Sequence, residues 1–518
     1  MAIEIVGLAD IVRRHGAQQP DTAAILFEGR TTSYGALDRA ASQVANALIA
    51  EGVRPQARVA HLDKSSDQFF ELLFGVAKAN AVMVSVNWRL APPEVLHIVN
   101  DAEAEILFVG EEYFPVIEKI RAELRTVRKI VAFGRHPAWQ SFDTWRDRQP
   151  ATDPHLPAAP DETAVQFYTS GTTGLPKGAE LTNANFGALL PLWTETWLLR
   201  PGVPALVCLP MFHIGGAGWG VACLFAGATC HVTREFVPAQ ILETIQRERL
   251  QVMLLVPAMI LFLLQAPQIR ETDLESLRLI VYGAAPIPVE LLKQAMAVFP
   301  GGFQQVYGLT ETTGAITLLP PEDHDPNDAK KLLSCGYAQK GVELRIVGDD
   351  GRDVATGEVG EIAVRSAQVM RGYWKLPEAT ARAIRGDWFL TGDAGYLDAK
   401  AYLYIYDRVK DMIVSGGENI YPAEVESALF GHPGVADVAV IGVPDERWGE
   451  AVKAVVVRKS GVDVTPGELI AWARERIAGY KLPKSVDFVD ALPRNPTGKI
   501  LKRELRKPYW GDRERQVN

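Results

Sequence analysis

Thr163-Ala-Val-Gln-Phe-Tyr168-Thr169-Ser170-Gly171-Thr172-Thr173-Gly174-Leu-Pro-Lys177-Gly178 reads as a strand that runs into a hydroxyl-rich loop. The first five residues alternate with period two. The next eleven hold three glycines, four Ser/Thr hydroxyls and one lysine. Such a turn after a strand offers backbone N–H groups, O–H donors and a cation to a polyphosphate. It is not a Walker A loop, which ends in Gly-Lys-Ser/Thr; here Pro176 precedes Lys177 and Gly178 follows it. A plain Gly/Ser/Thr linker would need neither the strand nor the lysine.

On either side of this stretch the chain repeats an α/β rhythm. Tyr34 to Gly52 carries helical apolar spacing, Val59–Asp63 reads as a strand, Phe69–Ala79 as a helix and Ala81–Val86 as a strand. A Pro/Asp-rich break spans Pro150 to Glu162. The rhythm resumes with strands at Leu206–Leu209, Val252–Val256 and Leu279–Tyr282, and with a glycine-rich turn, Met211–Gly216, leading into a helix. From 330 to about 406, period-two segments separated by Gly and Asp turns predict an antiparallel, barrel-like β subdomain. After Lys410 a compact α+β unit follows, and the polar stretch Asp407–Asp411 suits a hinge.

The predicted fold is thus α/β and α+β. A large N-terminal domain, 1–409, holds α/β subdomains and a β-barrel-like subdomain; a small mobile α+β domain, 410–518, follows a hinge at Lys410. A length of 518 residues agrees with more than one domain, since single cores stop growing near ~250–300 residues.

Composition narrows the function. Lys and Arg number 54 against 63 Asp and Glu, a net charge of −9, which argues against nucleic acid as a partner. A phosphate ligand must then be held by local cations. Cys208, Cys223, Cys230 and Cys335 form no C-x-x-C pair and read as buried reduced thiols of a cytoplasmic protein. The first ten residues lack a basic leader and an apolar segment, so no secretory signal is expected. The run Val252 to Leu264 contains Pro257 and is too short to span a bilayer. Peripheral membrane contact and a homodimer both stay open.

Four further clusters carry possible chemistry. In Val306-Tyr307-Gly308-Leu309-Thr310-Glu311-Thr-Thr313 a tyrosine can stack on a purine, Gly308 allows close approach, and Glu311 suits Mg²⁺. Phe389-Leu-Thr-Gly-Asp393 offers a carboxylate to ribose hydroxyls. Asp407-Arg408-Val-Lys410-Asp-Met-Ile-Val-Ser-Gly416-Gly417-Glu-Asn419 joins two cations to a glycine pair that leaves a groove or makes a hairpin turn. Pro493-Arg-Asn-Pro-Thr-Gly-Lys499 presents a lysine on a loop. Each alone also reads as an ordinary turn, cap or helix start.

In this order and at these distances the five clusters resemble the adenylate-forming superfamily of acyl-CoA synthetases, adenylation domains and luciferases. The resemblance runs from about Asp21 to Arg506. The segment 407–426 and Lys481-Leu-Pro-Lys484 look like the bacterial fatty-acyl-CoA or aryl-CoA ligase branch. It implies an AMP-forming ligase that makes an acyl-AMP from a fatty, medium to long chain, or other apolar carboxylic acid, releases pyrophosphate and transfers the acyl group to coenzyme A. An aryl-acid-CoA ligase and a module that loads an acyl carrier protein are the alternatives. ATP and Mg²⁺ are the implied cofactors.

By the same resemblance Thr169 to Lys177 cradle the β,γ-phosphates, and Gly283, Ala284, Ala285 and Tyr307 form the adenine site. Thr310 contacts phosphate, Glu311 holds Mg²⁺, Asp393 binds the ribose and Arg408 supports it. Lys499 bridges the acid and the α-phosphoryl group. Lys410 is the hinge, and Gly416 and Gly417 line the pantetheine tunnel after rotation. His213 gates the acid, with Phe212, Gly215, Gly216, Trp219, Gly283, Gly308 and Leu309 around it. One departure stands out: Ala401 occupies a turn position where the family usually has glycine.

Overall fold

The computed structural model describes residues 5–169, 176–348, 350–408, 411–415, 418–445, 447–494 and 500–511. Four sheets organise them.

Two are α/β sheets with parallel interiors. In the first, the parallel strands Thr163–Thr169, Val82–Ser85, Arg58–Leu62, Ile106–Gly110 and Lys129–Phe133 lie side by side. These strands read as apolar runs because helices cover the sheet, as parallel sheets require. Its direction changes at one edge, where Lys177–Thr182 returns antiparallel to Thr163–Thr169 and Gly372–Tyr373 adds outside it. In the second, Ala23–Phe27, Thr229–Val232, Pro204–Val207, Val252–Leu255, Leu279–Gly283 and Gly302–Leu309 are parallel in that order. Gly314–Leu319 then turns back antiparallel on Gly302–Leu309.

One apolar core joins both sheets. It includes Phe69, Phe70 and Phe74 from the helix Asp67–Lys78, and Trp219 and Phe225 from the helix Ile214–Phe225. Ser66 caps the former helix by accepting from Phe69 N–H at 3.2 Å. The latter helix is almost wholly buried, which its Gly/Ala/Trp/Val/Cys/Leu composition permits.

The antiparallel unit expected over 330–406 is present. Val342–Val347, Gly360–Ser366, Trp388–Leu397 and Leu403–Arg408 pair in that order, with Ile384–Arg385 on Trp388–Leu397. The fourth sheet comprises Glu418–Ile420, Ile413–Ser415, Gly449–Arg458, Val435–Asp445 and Ser485–Phe488. It has apolar clusters of its own, one around Val425, Val440 and Val456, the other around Ile441, Val455 and Leu492. The mixed α/β and α+β class read from the sequence holds. All four cysteines are free, three of them buried. No helix among the described residues is long and apolar enough to cross a membrane.

The turn at Ala401 accounts for the departure seen in the sequence. Ala401 adopts φ 62°, the left-handed region that glycine tolerates best. Asp398 holds the turn: its carboxylate accepts from Tyr402 N–H at 2.9 Å, and its carbonyl from Ala401 N–H at 2.9 Å.

Candidate active site

The site forms where both α/β sheets reverse direction. Strand Thr163–Thr169 ends at the start of the hydroxyl-rich loop, and Lys177 begins the return strand directly opposite Thr169. The loop is therefore pinned at both roots. Tyr168 donates to Asp101 at 2.6 Å and accepts from Gln166 at 3.1 Å. Arg58 bonds Glu180 at 2.8 Å and lies 3.5 Å from the Trp374 ring centroid. Ser170, Gly171, Thr172, Thr173 and Gly174, the loop's centre, lie outside the described residues.

The second cluster meets these roots. Gly302–Leu309 carries Tyr307 and Gly308, and a short 3-10 turn, Thr310–Thr312, follows. Glu311 Oε1 accepts from Thr169 Oγ1 at 3.4 Å and from the Tyr373 hydroxyl at 2.9 Å. Its backbone carbonyl accepts from Met370 N–H at 2.7 Å. Lys177 Nζ lies 5.2 Å from the Tyr373 ring centroid. A lysine, a hydroxyl and a carboxylate from three distant segments thus converge. The oxygen donors at Glu311 and Thr169 are of the hard type that Mg²⁺ prefers.

Tyr373 is not legible as a site residue in the sequence. It belongs to a two-residue strand whose partner, Lys177–Thr182, lies nearly two hundred residues earlier. Its only signal was the aromatic pair Tyr373-Trp374 after a glycine, which carries no period.

The third sheet brings in Asp393, which is 7% exposed. Tyr307 donates its hydroxyl to Asp393 Oδ2 at 2.8 Å. Burial, then the nearby Asp393 charge, raise the Tyr307 phenol well above its ordinary value, so it stays a donor. Asp393 pairs in register with Arg408, whose side chain lies outside the described residues. Gly283 ends its strand, and Ala284 follows at φ 66°, strained for a residue with a Cβ. Ala285 lies beside it. Lys410, Gly416, Gly417 and Lys499 also lie outside the described residues.

His213 precedes the helix Ile214–Phe225, with Phe212 at 4.6 Å between ring centroids. Burial pushes its pKa down to about 4, so the imidazole is neutral near pH 7. Not all of the glycines named around His213 leave room for an acid. A Cβ on Gly216 would lie 2.1 Å from the Pro210 carbonyl oxygen, and one on Gly283 2.3 Å from that of Val306. Those glycines serve close backbone packing and open no room. Gly308 is tighter still, at 1.8 Å from the Gly314 oxygen. Trp219 is a core residue, fully buried, donating from Nε1 to the Leu206 carbonyl at 2.7 Å. Gly215 alone of these four glycines adjoins space: among the described residues a Cβ there would meet only Leu209 Cδ1, at 3.6 Å.

Comparison with known proteins gives the family. The model of the AMP-binding enzyme family matches residues 12–374, and that of the AMP-binding enzyme C-terminal domain matches 424–499. A fatty acid–[acyl-carrier-protein] ligase, ScoC, of Streptomyces coeruleorubidus is 42% identical, over 97% of this chain and 96% of its own. A feruloyl-CoA synthase of an Amycolatopsis species is 40% identical over 97% and 99%. Among solved structures, the anthranilate CoA ligase AuaEII in complex with anthranoyl-AMP superimposes with a TM-score of 0.91. It is 29% identical and covers 98% of each chain.

Proposed function

This chain belongs to the AMP-binding enzyme family, and on that premise we propose that it is an ATP-dependent acid–thiol ligase acting on an apolar carboxylic acid. The convergence of Thr169, Lys177 and Glu311 at the loop roots carries this reading.

A free carboxylate is a poor acyl donor because oxide is a bad leaving group. In the first half-reaction a carboxylate oxygen attacks the α-phosphorus of ATP, the bond to the β-phosphate bridge breaks, and pyrophosphate leaves. In the second, a thiolate attacks the acyl carbon and AMP leaves. Thr169 to Lys177, with Thr310, would hold the β,γ-phosphates through backbone N–H groups, hydroxyls and one ammonium. Glu311 would hold Mg²⁺, which supplies neutralisation of phosphate charge. Asp393, kept in place by Tyr307, would accept from the ribose hydroxyls, with Arg408 beside it. Gly283, Ala284, Ala285 and Gly308 border the adenine and acid positions.

His213, neutral at physiological pH, would border the entering acid without forming an ion pair with it. Lys499 would offset charge that develops at the α-phosphoryl group. We assign 1–409 and 410–518 to two bodies that turn about Lys410 between half-reactions, exchanging Lys499 for Gly416 and Gly417. We place the enzyme in the cytoplasm, where its thiols stay reduced.

The deciding experiment is a pyrophosphate-release screen with purified protein across straight-chain acids, benzoates and cinnamates, with and without CoA. Release that needs both ATP and an acid, followed by CoA-dependent thioester, supports the proposal. Thioester formed only on an added carrier protein would move the acceptor assignment. Absence of pyrophosphate with every acid would overturn the reading.

A further inference from the structure

We propose that Trp193 forms the floor of the acid pocket. It restricts the enzyme to compact acids, a single ring or a chain of similar depth, whose far end carries a hydrogen-bond acceptor. This rests on the ligase reading above and names its substrate class.

Gly215 and Gly218 are three residues apart on the helix Ile214–Phe225 and so share a face. Next to His213, a Cβ on Gly215 would meet only Leu209 Cδ1, at 3.6 Å. One turn further from His213, a Cβ on Gly218 would sit 2.8 Å from Ile214 Cδ1 and 3.8 Å from Trp193 Cζ3. The same indole reaches the hairpin that carries Gly308 and Leu309. A Cβ on Gly314, which pairs with Leu309, would lie 2.6 Å from Trp193 Cζ2. The ring therefore spans from helix to hairpin, about 4.5 Å of helix rise beyond Gly215. A floor at that position would admit a compact acid and stop an extended long chain.

The floor is braced. Trp193 stacks on Trp197 at 4.1 Å and 23°, and Trp197 packs against Trp219 at 5.4 Å. Trp219 is tied to the Leu206 carbonyl by its own N–H. A ring held this way does not swing aside to open a tunnel.

A second observation concerns the far end of the substrate. Trp193 is 2% exposed, and its Nε1–H has no hydrogen-bond partner among the described residues. Nε1 sits on the ring edge next to Cζ2, the edge turned toward the Gly308–Gly314 hairpin. A buried N–H left unpaired is costly. A hydroxyl, methoxy or keto oxygen on the acid would satisfy it.

The test measures kcat/KM by pyrophosphate release for two series on the full chain. One is straight-chain acids from four to sixteen carbons; the other is benzoates and cinnamates with and without a para oxygen substituent. Wild type is expected to favour single-ring acids over hexadecanoate by at least about tenfold, with the oxygenated ring ahead of the bare one. Trp193→Ala should move the size limit to longer acids; Trp193→Leu, a smaller cavity, gives the same readout if the alanine variant does not fold. Trp193→Phe should keep the size limit but lose the preference for oxygen.

Wild type that turns over hexadecanoate as well as the ring acids would overturn the floor, as would an unmoved limit in the alanine and leucine variants. An unchanged oxygen preference in Trp193→Phe would overturn the acceptor assignment. No pyrophosphate from any acid would bring down the ligase reading together with this one, whereas turnover without a size limit would bring down the floor alone.

Discussion

A single cation near the α-phosphoryl group acts on charge that appears only in the transition state, so its removal shows in rate more than in binding. On the proposed role, Lys499→Ala lowers adenylation by about 10²–10³, equivalent to roughly 2.7–4 kcal/mol. Thioester formation from preformed acyl-adenylate should suffer far less. Single-turnover measurements of both steps check this, and wild-type adenylation would remove Lys499 from its role. Ala401 offers a second residue-level prediction. Its left-handed backbone costs an L-residue roughly 1–2 kcal/mol, while glycine returns roughly 0.5–1 kcal/mol of that as lost chain entropy. Ala401→Gly should therefore raise stability by about 0.5–1 kcal/mol in urea titrations; a loss would mean the turn does not need glycine-like freedom. The alanine was visible in the sequence as an oddity, and only the backbone angle gave its consequence.

At the scale of elements, the helix Ile214–Phe225 separates two kinds of glycine that look alike in sequence. Gly216→Ala drives a Cβ into the backbone at Pro210, which cannot yield as a side chain would. It should cost roughly 1–3 kcal/mol or more, as overpacking does. Gly215→Ala meets an ordinary contact and should leave stability equal or better, since alanine favours the helix by roughly 0.5–1 kcal/mol. Thermal melts of the two variants measure the contrast; equal losses would contradict the packing described. The parallel strands were legible because burial on both faces writes them as apolar runs. The strand Gly372–Tyr373 was not, since two residues cannot show a period. With it went Tyr373, the hydroxyl that holds Glu311.

For the whole molecule, buried histidines set how stability responds to acid. Burial holds His61 down to about 3 and His213 to about 4, and lowers His15, His231 and His324 as well. Each native value lies below the unfolded value near 6.5, so the unfolded chain gains protons first as pH falls. Glu71 opposes this: burial lifts it to about 7 despite Arg146, so it favours the native state as pH drops from 7 to 4.5. Burial also raises Asp63 and Glu361, which act in the same sense as Glu71. The five lowered histidines outnumber these three carboxylates, and stability should decline from pH 7 toward pH 5. Urea midpoints at pH 7, 6 and 5 test this; a flat or rising series would contradict it. The proposed two-body motion has its own test. Proline at 410 fixes φ near −65°, so Lys410→Pro should spare one half-reaction and impair the other. Equal loss of both would count against a hinge there.

The chain alone determined the class of fold and the order of its candidate motifs, because burial periodicity and loop chemistry are local and survive in one dimension. Tertiary structure alone decided that Glu311 meets Thr169 and Tyr373, that Tyr307 supports Asp393, and which glycines leave space. Those facts depend on distances between segments tens to hundreds of residues apart. No local pattern encodes such distances, because they are fixed only when separate sheets pack against a shared core.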